Sequence, residues 1–139
     1  MRYLLDTCVL SDPTQRRPNA GVKDWYARTP ETNMYVSVLS VGKIREGLVK
    51  LAGTPKAVRI GAWLDHELLL RFDRRLPGVD IDVCNLWGKI CGELLQRGCP
   101  TPVMDSLIAA TALTHELTLV TRNVKDFRDF DIPVVNPWQ

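Results

Sequence analysis

Three separated groups of side chains in this chain carry the oxygens that metal-assisted chemistry needs. Asp6 follows a short apolar run, Asp105 lies near the start of a longer apolar segment, and Asn123 and Asp126 follow a third apolar run. Hard divalent cations such as Mg²⁺ prefer oxygen ligands of this kind and usually keep several waters. A bound water can be activated to attack a phosphodiester while the metal stabilises charge on the phosphate. Acids from distant segments therefore predict a divalent-cation site, provided that the fold brings them together.

Short apolar runs predict the strands that must position these residues. Each is bounded by polar or turn residues, and the four runs are Tyr3–Leu5, Met34–Val36, Leu117–Thr121 and Val134–Val135. Segments with helical periodicity separate them. Strands that alternate with helices favour an α/β domain with a parallel sheet.

Capping residues predict where the helices begin and end. Helix starts are expected at Asn19, Ser37, Thr54, Asp80 or Asp82, and Thr101. The helix that follows Asp80 or Asp82 carries the widest apolar stripe, so it is expected to be a central core element. Gly53 and Gly98 are expected to close helices.

The predicted strands share one functional edge. Because parallel strands end at the same edge of a sheet, Asp6, Ser37, Thr121 and Asn123 are expected to lie there. Asp105, one turn into its helix, would lean towards the same place. Clustered carboxylates repel each other, so they stay ionised only where a cation or basic groups offset their charge.

Composition bounds the class of protein. A chain of 139 residues, 45% hydrophobic and 24% charged, is expected to form one domain over residues 1–139. Its net charge of +2 is too small to identify a nucleic-acid binder. No apolar run approaches the roughly 20 residues that span a bilayer, and we expect a cytoplasmic protein. The four cysteines are expected to be buried, reduced thiols, because their spacing fits neither a disulfide framework nor a zinc site.

Four blocks of sequence, taken in order, resemble the PIN-domain ribonucleases. Within that family the chain looks like the VapC toxins of toxin–antitoxin pairs, including the FitB-like branch. The blocks are Leu4–Leu10, Ser37–Gly47, Asp105–Leu113 and Leu119–Phe127. The resemblance implies a three-layer α/β/α fold with a short, mainly parallel central sheet.

The resemblance also implies an activity and its partners. The family implies an endoribonuclease that depends on Mg²⁺ or Mn²⁺, a homodimer, and a cognate VapB-like antitoxin that alone contacts operator DNA. By position, Asp6 and Asp105 match the principal metal ligands, and Asn123 and Asp126 match a variable fourth corner. Thr7 matches the hydroxyl that follows the first acid. Arg45 and Arg122 flank the motifs and are candidates for RNA phosphate contacts.

Two positions depart from the family pattern. Cys8 stands where the family commonly has Asn, and Lys43 stands where the family motif Gly-Glu-Ile/Leu-Arg has its core acid. At a separation of about 4 Å and an effective dielectric near 20, an opposite-charge pair is worth about 4 kcal/mol before desolvation. Lys43 is therefore expected to pair with Asp6 and Asp105, to compete with a divalent ion and to impair cleavage. Glu46, one turn further along the helix, is not expected to replace the missing acid.

Other interpretations of these residues remain open. The chain could be a catalytically inactive PIN domain that only binds antitoxin or RNA, or a receiver-like phosphoacceptor built on Asp6. Lys43, Glu46 and Lys50 could form an ordinary solvated helix face, and Asp126 could instead hold the turn at Arg122. Tryptophans on apolar stripes are expected in the core rather than as base-stacking platforms, and these are Trp25, Trp63 and Trp87.

Overall fold

Four short parallel strands form the centre of the molecule, as seen in a computed structural model that describes all residues 1–139. The strand order is β2-β1-β3-β4, and all three neighbouring pairs are parallel. The strands are β1 Tyr3–Leu5, β2 Met34–Tyr35, β3 Thr118–Val120 and β4 Val134–Val135. The predicted strands are confirmed, each within two residues.

Seven helices surround the sheet. They are α1 Thr7–Ser11, α2 Ala20–Arg28, α3 Val38–Lys50, α4 Pro55–Trp63, α5 Leu69–Arg71, α6 Ile81–Gln96 and α7 Val103–Thr114. A π-helical segment, Leu64–Leu68, joins α4 to α5, and 3₁₀ turns cover Asp12–Thr14, Glu31–Asn33 and Val124–Phe127. None of these helices has both the length and the apolar character needed to cross a membrane.

Most of the predicted caps are confirmed by hydrogen bonds. The side chains of Asn19, Ser37, Thr54 and Asp80 each accept a backbone N–H from the first turn of the helix that follows. Asp80, not Asp82, therefore caps α6. Gly53 and Gly98 adopt positive φ after their helices, the conformation that glycine tolerates best.

Two apolar clusters cover the two faces of the sheet. Leu5 and Val120 face a cluster built with α1, α2, α3 and the π-helical segment, whereas Leu4 and Leu119 face a second cluster built largely with α7. Successive strand residues point to opposite faces, so a sheet this short can separate two cores. The three-layer α/β/α architecture is confirmed.

The expectation for α6 as a central core element is wrong. Only Val83 and Leu94 of this helix are buried, whereas Ile81 and Leu95 are 71% and 62% exposed. The helix packs chiefly on α7, so only one side of its apolar stripe is covered. The expectation of buried cysteines is also wrong, since Cys84 is exposed and the other three are half-buried, although all four are free thiols.

Candidate functional site at the carboxyl edge of the sheet

Asp6 directly follows β1 and caps α1. Its side chain is buried, with 5% of the residue exposed, and both carboxylate oxygens accept hydrogen bonds. The backbone N–H of Thr7 donates to Oδ1 at 2.8 Å, and the hydroxyl of Thr121 donates to Oδ2 at 2.8 Å. A carboxylate removed from water needs such donors, so the local fold is built to hold an acid at this position.

Thr121 links the ends of β1 and β3. It is fully buried, and its Oγ1 accepts the backbone N–H of Asn123 at 3.0 Å while donating to Asp6. Because β3 pairs with β1 in parallel register, the residue after β3 lies beside the residue after β1. The expectation that Asp6 and Thr121 share one edge is confirmed.

Cys8 occupies the space between these residues. Its thiol lies 3.9 Å from Asp6 Oδ2 and 3.7 Å from Thr121 Oγ1, and it accepts the backbone N–H of Arg122 at 3.5 Å. Burial raises the pKa of the Cys8 thiol; the N–H of Arg122 opposes that rise, and the charge of Asp6 adds to it. Cys8 is therefore a neutral thiol near pH 7 that packs the Asp6 carboxylate, not a nucleophilic thiolate.

Asp105 lies in the first turn of α7 and is half-buried. Burial raises the pKa of Asp105, the negative charges of Asp126 and Asp6 raise it further, and the positive charge of Lys43 lowers it. The charges of Asp6, Asp126 and Lys43 therefore lie within electrostatic reach of Asp105. The structure thus brings Asp6, Asp105, Asp126 and Lys43 into one electrostatic cluster, from four distant parts of the sequence.

The turn after β3 carries the remaining acid. Asn123 and Asp126 are both exposed, and the backbone N–H of Asp126 donates to the carbonyl of Asn123 at 3.1 Å. No hydrogen bond involves the Asp126 carboxylate. The turn is held by its backbone and by Thr121, so the side chain of Asp126 is free to face the cluster.

Lys43 does not pair directly with the acids, and that expectation is wrong. The residue is exposed, and it appears in none of the five ion pairs of the chain. Its charge nevertheless reaches Asp105 and lowers the pKa of that carboxyl. The ammonium therefore acts through space, because an exposed lysine keeps its own hydration.

The neighbours of Lys43 on α3 are engaged elsewhere. Glu46 pairs with Lys50 at 3.2 Å, and both side chains are largely exposed. Arg45 donates to Asp65 on the π-helical segment at 2.6 Å, and this bond lowers the pKa of Asp65. Glu46 is thus paired on the exposed surface of α3, and Arg45 has an acidic partner that an RNA phosphate would have to displace.

The acids of the cluster fit a divalent cation incompletely. No three histidine, cysteine or acidic side chains come close enough together to hold a metal ion. Two polar side chains near this edge are not fully engaged by the protein. The buried Thr7 hydroxyl has no hydrogen-bond partner, and Asp105 is only half-buried. The acids thus lie near one another without forming a group that could by itself hold a metal ion.

Sequence reasoning missed how the segment after β4 contributes to this edge. Trp138 packs against the first apolar cluster, and the Arg122 guanidinium lies over its ring at 5.5 Å. Arg75 is half-buried and donates to the carbonyl of Met34 at 2.8 Å. The half-buried position of Arg75 below a strand end could not be read from charge alone.

Comparison with known proteins shows the family to which the chain belongs. The chain matches the PIN domain family over residues 3–133 and belongs to that family. It is 32% identical over 135 residues to toxin FitB of Neisseria gonorrhoeae, covering 97% of each protein. It is 25% identical over 136 residues to VapC ribonuclease Y4jK of Sinorhizobium fredii, covering 98% of this chain and 97% of that protein.

A solved structure shows the same fold. The structure of FitAB bound to the IR36 DNA fragment superposes with a TM-score of 0.90 at 30% identity, and covers 99% of this chain and 96% of that one. Within the PIN domain family the chain is therefore similar to toxins of the FitB and VapC kind.

Proposed function

We propose that the chain is the toxin of a type II toxin–antitoxin pair and a metal-dependent endoribonuclease by descent. Its PIN fold and its similarity to toxin FitB and to a VapC ribonuclease support this assignment. The observation that carries it is the buried carboxylate of Asp6 at the end of β1, held by the Thr7 N–H and the Thr121 hydroxyl at the carboxyl edge of a parallel sheet. The charges of Asp105 and Asp126 act on one another at the same edge, which is an arrangement of acids that a divalent cation would use.

Each acid has a proposed part in that site. Asp6 and Asp105 hold Mg²⁺ or Mn²⁺, and Asn123 or Asp126 supplies the fourth corner. Asp6 is fixed by its two hydrogen bonds, whereas Asp105 approaches from α7. Arg122, which has no acidic partner within the chain, contacts RNA phosphate more readily than the paired Arg45.

Lys43 weakens this activity in the chain as it stands. Its positive charge opposes a divalent cation beside Asp105, and it provides no oxygen ligand. A second candidate function, an inactive PIN domain that binds antitoxin or RNA, is favoured by the absence of any three-acid group that could hold a metal. The two candidates differ only in whether residual acids can still support hydrolysis.

The setting follows from the same family. We propose that the single domain over residues 1–139 acts in the cytoplasm as a homodimer and is held inactive by a VapB-like antitoxin. Operator DNA would be bound only through that antitoxin; the similar FitAB complex is bound to a DNA fragment.

Cleavage of RNA by three purified variants tests the proposal. Lys43→Glu restores an acid, Lys43→Met removes the positive charge without adding a ligand, and Lys50→Glu makes the same charge change at an exposed site on the outer face of α3. We expect chelator-sensitive cleavage to rise strongly in Lys43→Glu, weakly in Lys43→Met and not in Lys50→Glu. If Lys43→Glu and Lys50→Glu are equally inert on every RNA offered, the inactive binding domain is the correct assignment.

A further inference from the structure

The side chains of Arg122 and Trp138 lie against each other at the same edge of the sheet as the acids. The guanidinium of Arg122 lies over the Trp138 ring at 5.5 Å. Arg122 follows Thr121, which bonds Asp6, and Trp138 follows β4, which pairs with β3 in parallel. Because all four strands are parallel, the residues after β3 emerge between those after β1 and those after β4, at the same edge of the sheet.

The segment that carries Trp138 is fixed in place. The backbone N–H of Trp138 donates to Asn136 Oδ1 at 3.0 Å, and the ring packs against the first apolar cluster. Pro137 is buried, and its carbonyl fills the space where a Cβ on Gly21 of α2 would lie. Trp138 is therefore held in place beside Arg122 and is half-buried.

Arg122 is fixed at its backbone and open at its head. Its backbone N–H donates to the Cys8 thiol, which itself touches Asp6. Its side chain is exposed and belongs to none of the five ion pairs of the chain. The guanidinium carbon thus lies 5.5 Å from the centre of the indole ring, and the exposed side chain leaves the guanidinium open to a ligand.

We infer that Arg122, backed by Trp138, is a stacking platform for one base of single-stranded RNA beside the acidic cluster. Nucleobases stack on arginine planes and on aromatic rings, and the N–H edge of the same guanidinium can reach the adjoining phosphate. The inference rests on the proposed function and deepens it, because it names an unpaired base as the recognised group. A purine, with its larger surface, would stack better than a pyrimidine.

Binding of short labelled RNA to the full chain, measured by fluorescence anisotropy in chelator, tests this platform without requiring cleavage. The probes are oligoadenylate, oligouridylate and an abasic ribose-phosphate oligomer of equal length. Stacking of one base corresponds to roughly a 5- to 150-fold change in Kd. We expect the unaltered chain to bind oligoadenylate tighter than the abasic oligomer by a factor in this range, with oligouridylate between them.

Variants separate stacking from charge. Arg122→Lys keeps the charge and loses the plane, so it should keep its affinity for the abasic oligomer and lose most of the preference for bases. Trp138→Phe should retain most of that preference and Trp138→Ala little of it. Arg128→Lys, a change at another exposed arginine nearby, should alter neither affinity.

Two results would overturn the platform. One is equal affinity of the unaltered chain for oligoadenylate and the abasic oligomer; the other is a base preference that survives in Arg122→Lys. Neither result depends on the cleavage assay with Lys43→Glu, so loss of the platform would leave the proposed nuclease standing. Conversely, a base preference in a chain that never cleaves would support the platform within a binding domain.

Discussion

At the residue scale, the site depends on how a buried acidic side chain finds hydrogen-bond donors. Asp6 exchanges water for one backbone N–H and one threonine hydroxyl, at 2.8 Å each. Both of its oxygens thereby have donors, which is what allows an acid to remain at the end of a buried strand. The hydroxyl comes from the end of another strand, so the acid and the packing of the sheet stabilise each other.

Removal of that hydroxyl is expected to destabilise the fold. Thr121→Val keeps the shape of the side chain but leaves Asp6 Oδ2 and the N–H of Asn123 without their partner. We expect a loss of about 1–3 kcal/mol in the free energy of unfolding, measured by urea denaturation. Thr114→Val, which removes a hydroxyl bonded only to the carbonyl of Ala110 in its own helix, should cost less than about 1 kcal/mol. Equal losses in the two variants would show that the Asp6 bond has no special weight.

The second acid, Asp105, makes the stability of the fold depend on pH. The pKa of Asp105 is raised by burial and by two neighbouring acids, so the folded chain holds a proton at pH values where the unfolded chain has released it. The stability that this proton contributes is fully present below the ordinary pKa of 3.8 and is lost as pH rises through the folded pKa.

Asp105→Asn should therefore gain stability relative to the unaltered chain as pH rises. In chelator, we expect the Tm difference between the two to be small near pH 4 and to favour the asparagine variant at about pH 7. Lys43→Met removes the charge that lowers the pKa of Asp105, so in that background the Tm gain should be larger. A difference that is independent of pH would contradict the placement of Asp105 beside the other acids.

At the scale of elements, local patterning predicted most of the structure. Four helix starts rest on a short-range signal, a side chain that accepts an N–H two or three residues on, whereas α7 has no such cap although one was expected at Thr101. The residues of the acidic cluster also followed from strand ends and a helix start. Nonlocal arrangement did not follow: the order of the strands, the Thr121 bond to Asp6 and the exposed stripe of α6 depend on which elements become neighbours.

The departure at Lys43 shows the same limit. Its identity as a cation near acidic residues is an inference from the sequence, but its distance from those acids depends on how α3 packs in the fold. The structure leaves it exposed and without an ion pair, so it acts as a charge nearby rather than as a buried partner. Which neighbours a helix side chain can reach depends on how that helix packs in the fold, and a sequence pattern does not specify this.

The close approach of α2 to the segment after β4 supplies a test at this scale. A methyl group added in Gly21→Ala would overlap the carbonyl of Pro137, whereas Gly88→Ala in α6 meets no neighbouring atom. Relief of glycine flexibility should stabilise the Gly88 variant by about 0.5–1 kcal/mol. We expect Gly21→Ala to be destabilised instead and to change the near-ultraviolet circular dichroism of its tryptophans. If both variants are stabilised alike, the segment that holds Trp138 is not docked as described.

At the scale of the whole molecule, a short parallel sheet collects charges from four distant segments at one edge. The net charge of the chain is only +2, so its field at the site is set locally by Asp6, Asp105, Asp126 and Lys43. With a lysine at position 43, that edge is less negative by about two charges than it would be with an acid at the same position. The rest of the fold matches that of its PIN relatives. We therefore expect any difference in activity between this chain and those relatives to arise at the site.

Manganese affinity of the unaltered chain and of Lys43→Glu, measured by isothermal titration calorimetry, tests this account most directly. Replacement of a nearby cation by an acid should increase the affinity at least about 100-fold, if one opposite-charge pair gains about 3–4 kcal/mol before desolvation. Lys50→Glu, with the same change in net charge, should leave the affinity within a few-fold of the unaltered chain. Equal manganese affinity in all three proteins would contradict the claim that Asp6 and Asp105 form a cation site that Lys43 disables.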